Sequence, residues 1–316
     1  MGKRGPTSDN SASGAVVNKI IRRVYMGANP KKNTPPPKQN KFRGNAASTV
    51  IMFNKWREAA KNFAVPAPPP PPAPPPTPLH HWKLDEGRGP DAYDTGTSAT
   101  KVKLTLQGNA KWLGGGGVEL PNGGATKNSF LDFGPNFQFA ARDGFTFAVW
   151  AKVDSFENDW GKILSLCNFQ CGNVIILNHY STTRRARVII TNSNSYKVLN
   201  TPDCNSSDRA NDSCYFFPVA GSRWVHVALT VTAGGAWSLY RDGATQDATQ
   251  WNAAATGGVT ANPNSVNYTF AALGRDDAGT EGSDNYLDGA LRDARLYDRA
   301  LSAAEIKHIF DYTKRG

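Results

Sequence analysis

The sequence predicts an all-β protein: an antiparallel two-sheet sandwich with a short C-terminal helix and an extended basic N-terminal arm. Residues 145–153 (F-T-F-A-V-W-A-K-V) alternate with period two, and Asp242-Gly243 is a strong hairpin signal. Within residues 79–316, no continuous helical pattern precedes Ser302. Short strands separated by glycine-rich turns, as at 114–117 and 123–124, are typical of a sandwich.

The first 65 residues form the predicted arm, and they carry the whole net charge of the chain. Of 36 Lys and Arg residues, 13 lie in this segment together with only two acidic residues, which leaves a net charge of −1 for the remainder. Two short helices are predicted, at residues 16–25 and 48–63, and neither is long enough to be stable alone. A basic arm on a neutral body indicates an acidic partner, or alternatively a solvated disordered tail.

Residues 66–78 contain ten prolines in thirteen positions and predict a polyproline II linker. At about 3.1 Å per residue, this linker would span roughly 40 Å. It divides the chain into the arm (1–65), the linker and a globular body (79–316). A spacer is its expected role, with a PxxP ligand as the alternative.

The body reads as a series of short strands. After residues 145–153, strand-like segments follow at 162–166, 173–178, 187–191, 224–232, 236–245 and 271–275. The last strand contains Leu291, Leu296 and Tyr297, and its imperfect alternation is the pattern expected around a β-bulge. In total the pattern predicts about 12–14 short strands.

The C-terminal helix has a complete start signal. Ser302 can cap the first turn, and Glu305, three residues later, can return the hydrogen bond. Leu301 and Ile306 occupy the hydrophobic staple positions, and Ile306 and Ile309 belong to a short apolar stripe. A strand followed at once by such a helix is typical of the final element of a domain.

Three segments carry a resemblance to a known family. Residues 289–306 (G-A-L-R-D-A-R-L-Y-D-R-A-L-S-A-A-E-I) resemble the closing signature of laminin-G-like, concanavalin A-like jelly-roll domains. Residues 80–96 (H-H-W-K-L-D-E-G-R-G-P-D-A-Y-D-T-G) resemble the opening strand and loop of that family, and residues 224–228 (W-V-H-V-A) resemble one of its internal strands. The resemblance extends over residues 79–316 and implies a jelly roll. One departure is Arg292, which stands where the family usually has an acidic residue.

No catalytic constellation is found, so we expect that the protein is not an enzyme. Sandwiches of this superfamily that hydrolyse glycans need two carboxylates across the scissile bond. The nearest approach, Glu157-Asn158-Asp159, is not followed by the second glutamate that such enzymes carry on the same strand. The sequence also has no nucleophile elbow, phosphate loop or zinc-binding helix motif.

The resemblance implies a calcium site at the edge of the sandwich. Laminin-G-like domains often bind Ca²⁺ there through Asp side chains and backbone carbonyls, which suit a hard cation. Because the first and last strands are usually neighbours in this fold, Asp94 and Asp293 are the candidate ligands. Arg292 places a positive charge beside this pair, and the alternative is that both aspartates stabilise turns.

Loop residues at the predicted rim of the sandwich are the candidates for ligand binding. Sugar recognition uses planar rings for stacking and polar groups that bind hydroxyls in pairs. The residues of these types are Trp160, Arg275, Asp276, Asp277, Asp284 and Asn285.

The cysteines and sequons bear on the compartment. Cys167, Cys171, Cys204 and Cys214 allow three pairings, one of which gives two short-range disulfides. Sequons begin at residues 205, 211 and 267. These features suggest an exposed, oxidising setting, yet no secretory signal is readable and no stretch reaches the ~20 apolar residues of a membrane span. A particle assembled inside a cell and released whole, such as a large virus, would satisfy both observations.

Two functions therefore remain open. The first is a non-enzymatic structural subunit of a large assembly, a minor capsid protein of a virion, with the jelly roll as a binding or cementing head. Its arm would anchor into neighbouring subunits through Arg22, Arg23, Phe53, Trp56 and Phe63. The second is a free, extracellular or cell-surface lectin or adhesin that binds glycans, with the arm as a disordered tether. Nucleic acid is a weaker candidate partner of the arm.

Overall fold

The computed structural model of the protein describes residues 73–135, 137–158, 160–168, 173–192, 195–201, 215–246, 252–253, 266–276 and 285–314. All of them belong to one compact unit, Pro71–Gly316. The predicted arm, its two helices and its five anchoring residues lie outside the described residues. Cys167 lies within the described residues and is disulfide-bonded. The other three cysteines lie outside the described residues.

Nineteen strands lie in the described part of the chain. In order they are β1 (His80–Trp82), β2 (Asp91–Ala92), β3 (Leu104–Gln107), β4 (Lys111–Trp112), β5 (Val118–Leu120), β6 (Phe130–Asp132), β7 (Phe137–Phe139), β8 (Gly144–Ser155), β9 (Lys162–Cys167), β10 (Val174–His179), β11 (Ala186–Asn192), β12 (Ser195–Asn200), β13 (Val225–Thr232), β14 (Trp237–Arg241), β15 (Ala244–Thr245), β16 (Asn252–Ala253), β17 (Val266–Tyr268), β18 (Phe270–Leu273) and β19 (Asp288–Tyr297). This is more than the about 12–14 strands that the sequence pattern suggests. The excess comes from two- and three-residue strands, which are too short to show a period and are defined only by their partners.

Two antiparallel sheets form the sandwich, as predicted. The first sheet has the order β15-β14-β13-β8-β19-β5-β4, and β1 is also paired with β19. The second has the order β16-β12-β11-β10-β9-β18-β6-β3-β2. A separate two-stranded ribbon joins β17 to β7. The first and last strands of the described body are therefore neighbours.

The core lies between the two sheets. On β8, the central strand of the first sheet, the predicted inward set of Phe145, Phe147 and Val149 is buried in this core, which confirms the period-two alternation. The second sheet contributes Leu164 and Leu166 from β9, among others. Burial of each side chain of this size stabilises the fold by roughly 1.5–3 kcal/mol.

The C-terminal helix α1 (Ala303–Thr313) packs on the outer face of the first sheet. Its capping box is confirmed, because Ser302 accepts a hydrogen bond from the Glu305 backbone and Glu305 accepts one from the Ser302 backbone. Ile306 and Ile309 are fully buried in a second apolar cluster, which the outward side chains of the sheet and Leu301 complete. In the described part of the chain, no helix is both long and apolar enough to cross a bilayer.

Strand β19 contains the predicted β-bulge. Its register against β8 shifts between Arg292 and Arg295. Asp293, within this shift, has a positive φ of 52°. The bulge adds a residue to one strand and re-aims its side chains. As a result, Arg292, Asp293 and Arg295 all line one groove, on the outer face of the first sheet.

The last residues of the predicted linker lie against the sandwich. The Ala73 carbonyl lies 2.9 Å from His308 Nε2, and the Pro76 carbonyl accepts a hydrogen bond of 3.3 Å from the Tyr297 hydroxyl. The Pro78 carbonyl accepts from the Thr97 backbone at 3.0 Å. A polyproline helix makes no internal hydrogen bonds, so its carbonyls are available to neighbouring donors. This end of the proline segment is therefore part of the surface of the domain.

Candidate functional site

Trp160, the first predicted ligand-binding residue, lies between β8 and β9 with a positive φ of 61°. Its ring meets the Tyr180 ring edge-on at a centroid distance of 4.8 Å. The Arg187 guanidinium lies 4.4 Å from its centroid. The Trp160 ring is half-buried, so its faces are only partly available to a ligand.

Arg275 and Asn285 lie in the segments that follow β18 and precede β19. The Arg275 guanidinium lies 4.7 Å from the centroid of Phe130 and 5.8 Å from that of Tyr286. Asn285 is half-buried. Asp277 and Asp284, the other two loop candidates here, lie outside the described residues.

The sequence suggested that Asp276 lies at an exposed rim, but in the structure it is buried. It is 4% exposed, and its carboxylate contacts two side chains of β9. Lys162 Nζ lies 3.2 Å from Asp276 Oδ2, and the Ser165 hydroxyl donates a 3.0 Å hydrogen bond to Asp276 Oδ1. The pairing of β18 with β9 brings these groups together, which sequence spacing did not reveal.

Asp94, one of the two predicted calcium ligands, is buried, and its carboxylate accepts hydrogen bonds from groups of the opening segment. Its Oδ1 accepts from the backbone N–H groups of His81 and Gly96, at 3.0 and 2.8 Å. Its Oδ2 lies 2.7 Å from His80 Nδ1 and accepts a longer bond from Val102 N–H. Burial raises the pKa of Asp94, but these hydrogen bonds outweigh it and the net pKa is lowered.

Asp293, the second predicted ligand, forms side-chain contacts with a histidine and an arginine. Its Oδ1 lies 2.6 Å from His81 Nε2 and 3.0 Å from Arg295 Nε. Burial raises the pKa of Asp293. The hydrogen bond with His81 and the charge of Arg295 lower it by more, so the pKa lies below its usual value.

This donor set does not fit a calcium ion. Both oxygens of Asp94 already accept N–H bonds, and Asp293 faces a guanidinium, which repels a cation. Among the residues that the structure describes, no three His, Cys, Asp or Glu side chains are grouped to hold a metal. In this structure the hydrogen bonds of Asp94 connect β1 to the opening loop, and the contact of Asp293 with His81 connects β1 to β19.

A groove on the outer face of the first sheet brings charged, aromatic and proline side chains together. We call it the proline groove. It has a volume of about 590 Å³, and its lining is Pro75, Pro76, Thr77, Pro78, His81, Lys83, Asp85, Gly115, Gly116, Trp150, Arg292, Asp293, Arg295, Tyr312 and Thr313. Cavities of this size are typical of small-ligand sites.

Arg292 is held within the groove by two tryptophans. Its guanidinium lies 5.0 Å from the centroid of Trp150 and 4.9 Å from that of Trp224. Gly117 makes this close packing sterically feasible: it has a φ of +111°, and a Cβ at this position would lie 3.3 Å from both Arg292 and Trp224. Burial lowers the pKa of Arg292, with the charge of Asp293 opposing it.

The sequence did not reveal most of this groove. Trp150, Lys83 and Tyr312 were not among the predicted site residues, whereas Asp293 was, in another role. One signal was available: Trp150 lies on the outward register of β8, opposite to the inward Phe147 and Val149. The rest of the groove depends on which distant segments meet.

The family model of the concanavalin A-like lectin/glucanases superfamily matches residues 122–307, which is more than half of the chain. Comparison with curated proteins gives no match.

Several solved structures have a similar fold. The binding domain of botulinum neurotoxin serotype D/C VPI 5993 has a TM-score of 0.52 at 14% identity, over 75% of this chain and 52% of that one. The botulinum neurotoxin DC binding domain, in complex with rat synaptotagmin II, has the same TM-score and identity over 75% and 51%. The serotype C1 binding domain has a TM-score of 0.50 at 14% identity, over 75% and 52%. The chain thus spans about half the length of these structures, and at such identities the likeness shows the fold alone. With the family match and the two-sheet sandwich together, the chain belongs to the concanavalin A-like lectin/glucanases superfamily, as its laminin-G-like signatures predicted.

Proposed function

We propose that the protein is a non-catalytic, lectin-like binding protein and that its sandwich binds saccharides in the proline groove. The observation that supports this proposal is the composition of the groove: an exposed aromatic ring, a positioned guanidinium and an exposed carboxylate around a ligand-sized volume.

Each of these groups suits a pyranose ring. Tyr312 is 44% exposed and offers a ring face for stacking on the apolar side of a sugar. Arg292 presents planar N–H donors, and Asp85, which is exposed, presents acceptors for hydroxyl groups. The proline segment forms a wall with little conformational freedom, which reduces the entropy lost on binding.

The same groove is poorly suited to hydrolysis. A glycosidase needs one carboxyl group with a raised pKa as general acid, opposite a second carboxylate. The groove contains Asp85 and Asp293, and the pKa of Asp293 is lowered by its partners. Asp288, a carboxyl group whose pKa burial raises, accepts a hydrogen bond from Asn122 and is not part of the groove lining.

A glycan array with the full chain tests this proposal, followed by titration calorimetry on the best saccharide. The variant Tyr312→Ala should weaken binding roughly tenfold, since stacked aromatic contacts contribute about 0.5–1.5 kcal/mol beyond burial. Tyr93→Ala is the matched control, because Tyr93 is 60% exposed and lies outside the groove. Trp160→Ala tests the rim site predicted from the sequence. If no saccharide binds, or if Tyr93→Ala weakens binding as much as Tyr312→Ala, the proposal fails.

We also propose, as a second candidate, that the arm anchors this binding head into a large assembly such as a virion. The segregation of charge supports it, because the 65-residue arm holds the whole net positive charge and the body is close to neutral. Limited proteolysis of the protein in its native source and of the purified chain distinguishes the two cases. Protection of residues 1–65 only in the native source is expected for an anchor. Equal cleavage in both would leave an extracellular or cell-surface lectin with a tether.

A further inference from the structure

We infer that the proline groove selects saccharides that carry an acidic group, and that Arg292 binds the carboxylate of that group. This inference rests on the proposed function and adds the chemical class of the ligand.

The charges that line the proline groove favour an acidic ligand. It is lined by three cations, Lys83, Arg292 and Arg295, and by two carboxylates, Asp85 and Asp293. Asp293 and Arg295 neutralise each other at 3.0 Å. That leaves Asp85 as the one remaining carboxylate of the lining against Lys83 and Arg292, so the lining has a net positive charge without counting His81. An acidic ligand gains from this field, and a neutral one does not.

The guanidinium of Arg292 is preorganised by its aromatic neighbours. Two indole rings hold its guanidinium, with centroids at 5.0 and 4.9 Å. An arginine whose fork is already oriented loses less entropy on binding a carboxylate, and it can bind both carboxylate oxygens at once. Partial burial also leaves the charge less well hydrated, which strengthens its interaction with an anion.

The test compares three oligosaccharides of equal length: one of uronic acid units, a sulfated one, and the neutral parent. Binding is followed by intrinsic tryptophan fluorescence and by calorimetry. The full chain should bind the uronic acid oligosaccharide at least about tenfold more tightly than the neutral parent, because hydrogen bonds to charged groups are the stronger class. The sulfated oligosaccharide distinguishes a carboxylate from a general anion preference.

Variants locate this preference. Arg292→Gln should remove about tenfold or more of the affinity for the acidic ligand and little of that for the neutral one. Arg292→Lys keeps the charge but not the planar guanidinium, and should lose part of the affinity for the acidic ligand. Lys83→Gln, at an exposed position, should lower the affinity for the acidic ligand about two- to fivefold. Arg88 is an exposed cation outside the groove lining, so Arg88→Gln should leave this affinity unchanged.

The outcomes separate the two claims. Equal affinity for acidic and neutral saccharides overturns the inference and leaves the proposed function intact. Binding of inorganic sulfate or acetate that depends on Arg292, without binding of any saccharide, overturns the proposed function and retains the anion site. If neither anions nor saccharides bind, both are wrong.

Discussion

Trp150 and Arg292 face each other across strands β8 and β19, and the guanidinium lies 5.0 Å from the centroid of the indole ring. The same indole donates a 2.9 Å hydrogen bond to the Thr313 hydroxyl at the end of α1. One side chain thus connects the terminal helix to the proposed site. Through this connection, the packing of α1 and the position of Arg292 depend on each other.

His226 should make the stability of the domain dependent on pH. It is 1% exposed, its ring lies 5.4 Å from Trp150, and burial lowers its pKa to about 4. The charge of Arg295 also lowers it, whereas Asp293 and Asp242 oppose the shift.

A folded-state pKa below the unfolded value of about 6.5 means that the folded state resists protonation. The stabilisation is complete above pH 6.5 and is lost progressively as the pH falls towards 4. We expect the free energy of unfolding of the wild-type protein, measured in urea, to fall by about 3 kcal/mol between about pH 6.5 and 4 because of this residue. His226→Gln should abolish this contribution. His308→Gln, on the surface of α1, should retain it. The same pH slope in both variants would contradict this assignment.

The buried pair of Lys162 and Asp276 should be costly to break from one side only. Both side chains are at most 1% exposed and lie 3.2 Å apart. Either Asp276→Leu or Lys162→Met alone should destabilise the fold by about 3–5 kcal/mol, since each leaves a buried charge. The double variant should lose less than either single variant, as measured by denaturant unfolding. Additive losses would show that the two charges are not coupled.

The capping box of α1 should contribute measurably to stability. Ser302→Ala removes the side chain that accepts from the Glu305 backbone, and we expect a loss of about 1 kcal/mol. Ser302→Asp preserves an acceptor and should lose little. Ala303→Ser, at the next exposed position, controls for a change in hydroxyl number. A loss for Ser302→Asp as large as for Ser302→Ala would point to packing and not to the cap.

Calcium should not stabilise the domain through Asp94 and Asp293. A ligand that binds only the folded state raises the melting temperature, and even weak extracellular calcium sites fill at about 1 mM. We expect equal melting temperatures in millimolar CaCl₂ and in EDTA. Asp94→Ala should destabilise the protein equally in both solutions, since it removes hydrogen bonds and not a metal ligand. A calcium-dependent rise that Asp94→Ala abolishes would restore the calcium site.

Much of the fold could be predicted from local patterns. The inward set on β8, the bulge on β19 and the capping box at Ser302 each depend on residues that are close in the sequence, and all three are confirmed. The rim site was less predictable. Asp276 looks like any solvated loop residue in sequence, and only the pairing of β18 with β9 places it beside Lys162.

The sequence by itself determined the strand-and-helix pattern and the segregation of charge, because periodicity, capping and composition are properties of short segments, and its resemblance to laminin-G-like domains indicated the superfamily. Only the tertiary structure decided what Arg292 does. Trp150, Trp224 and the proline segment are far from it along the chain. In the fold, Trp150 and the proline segment line the groove with Arg292, and Trp224 packs against the Arg292 guanidinium. Side-chain chemistry at a site depends on such long-range register, which no local pattern specifies.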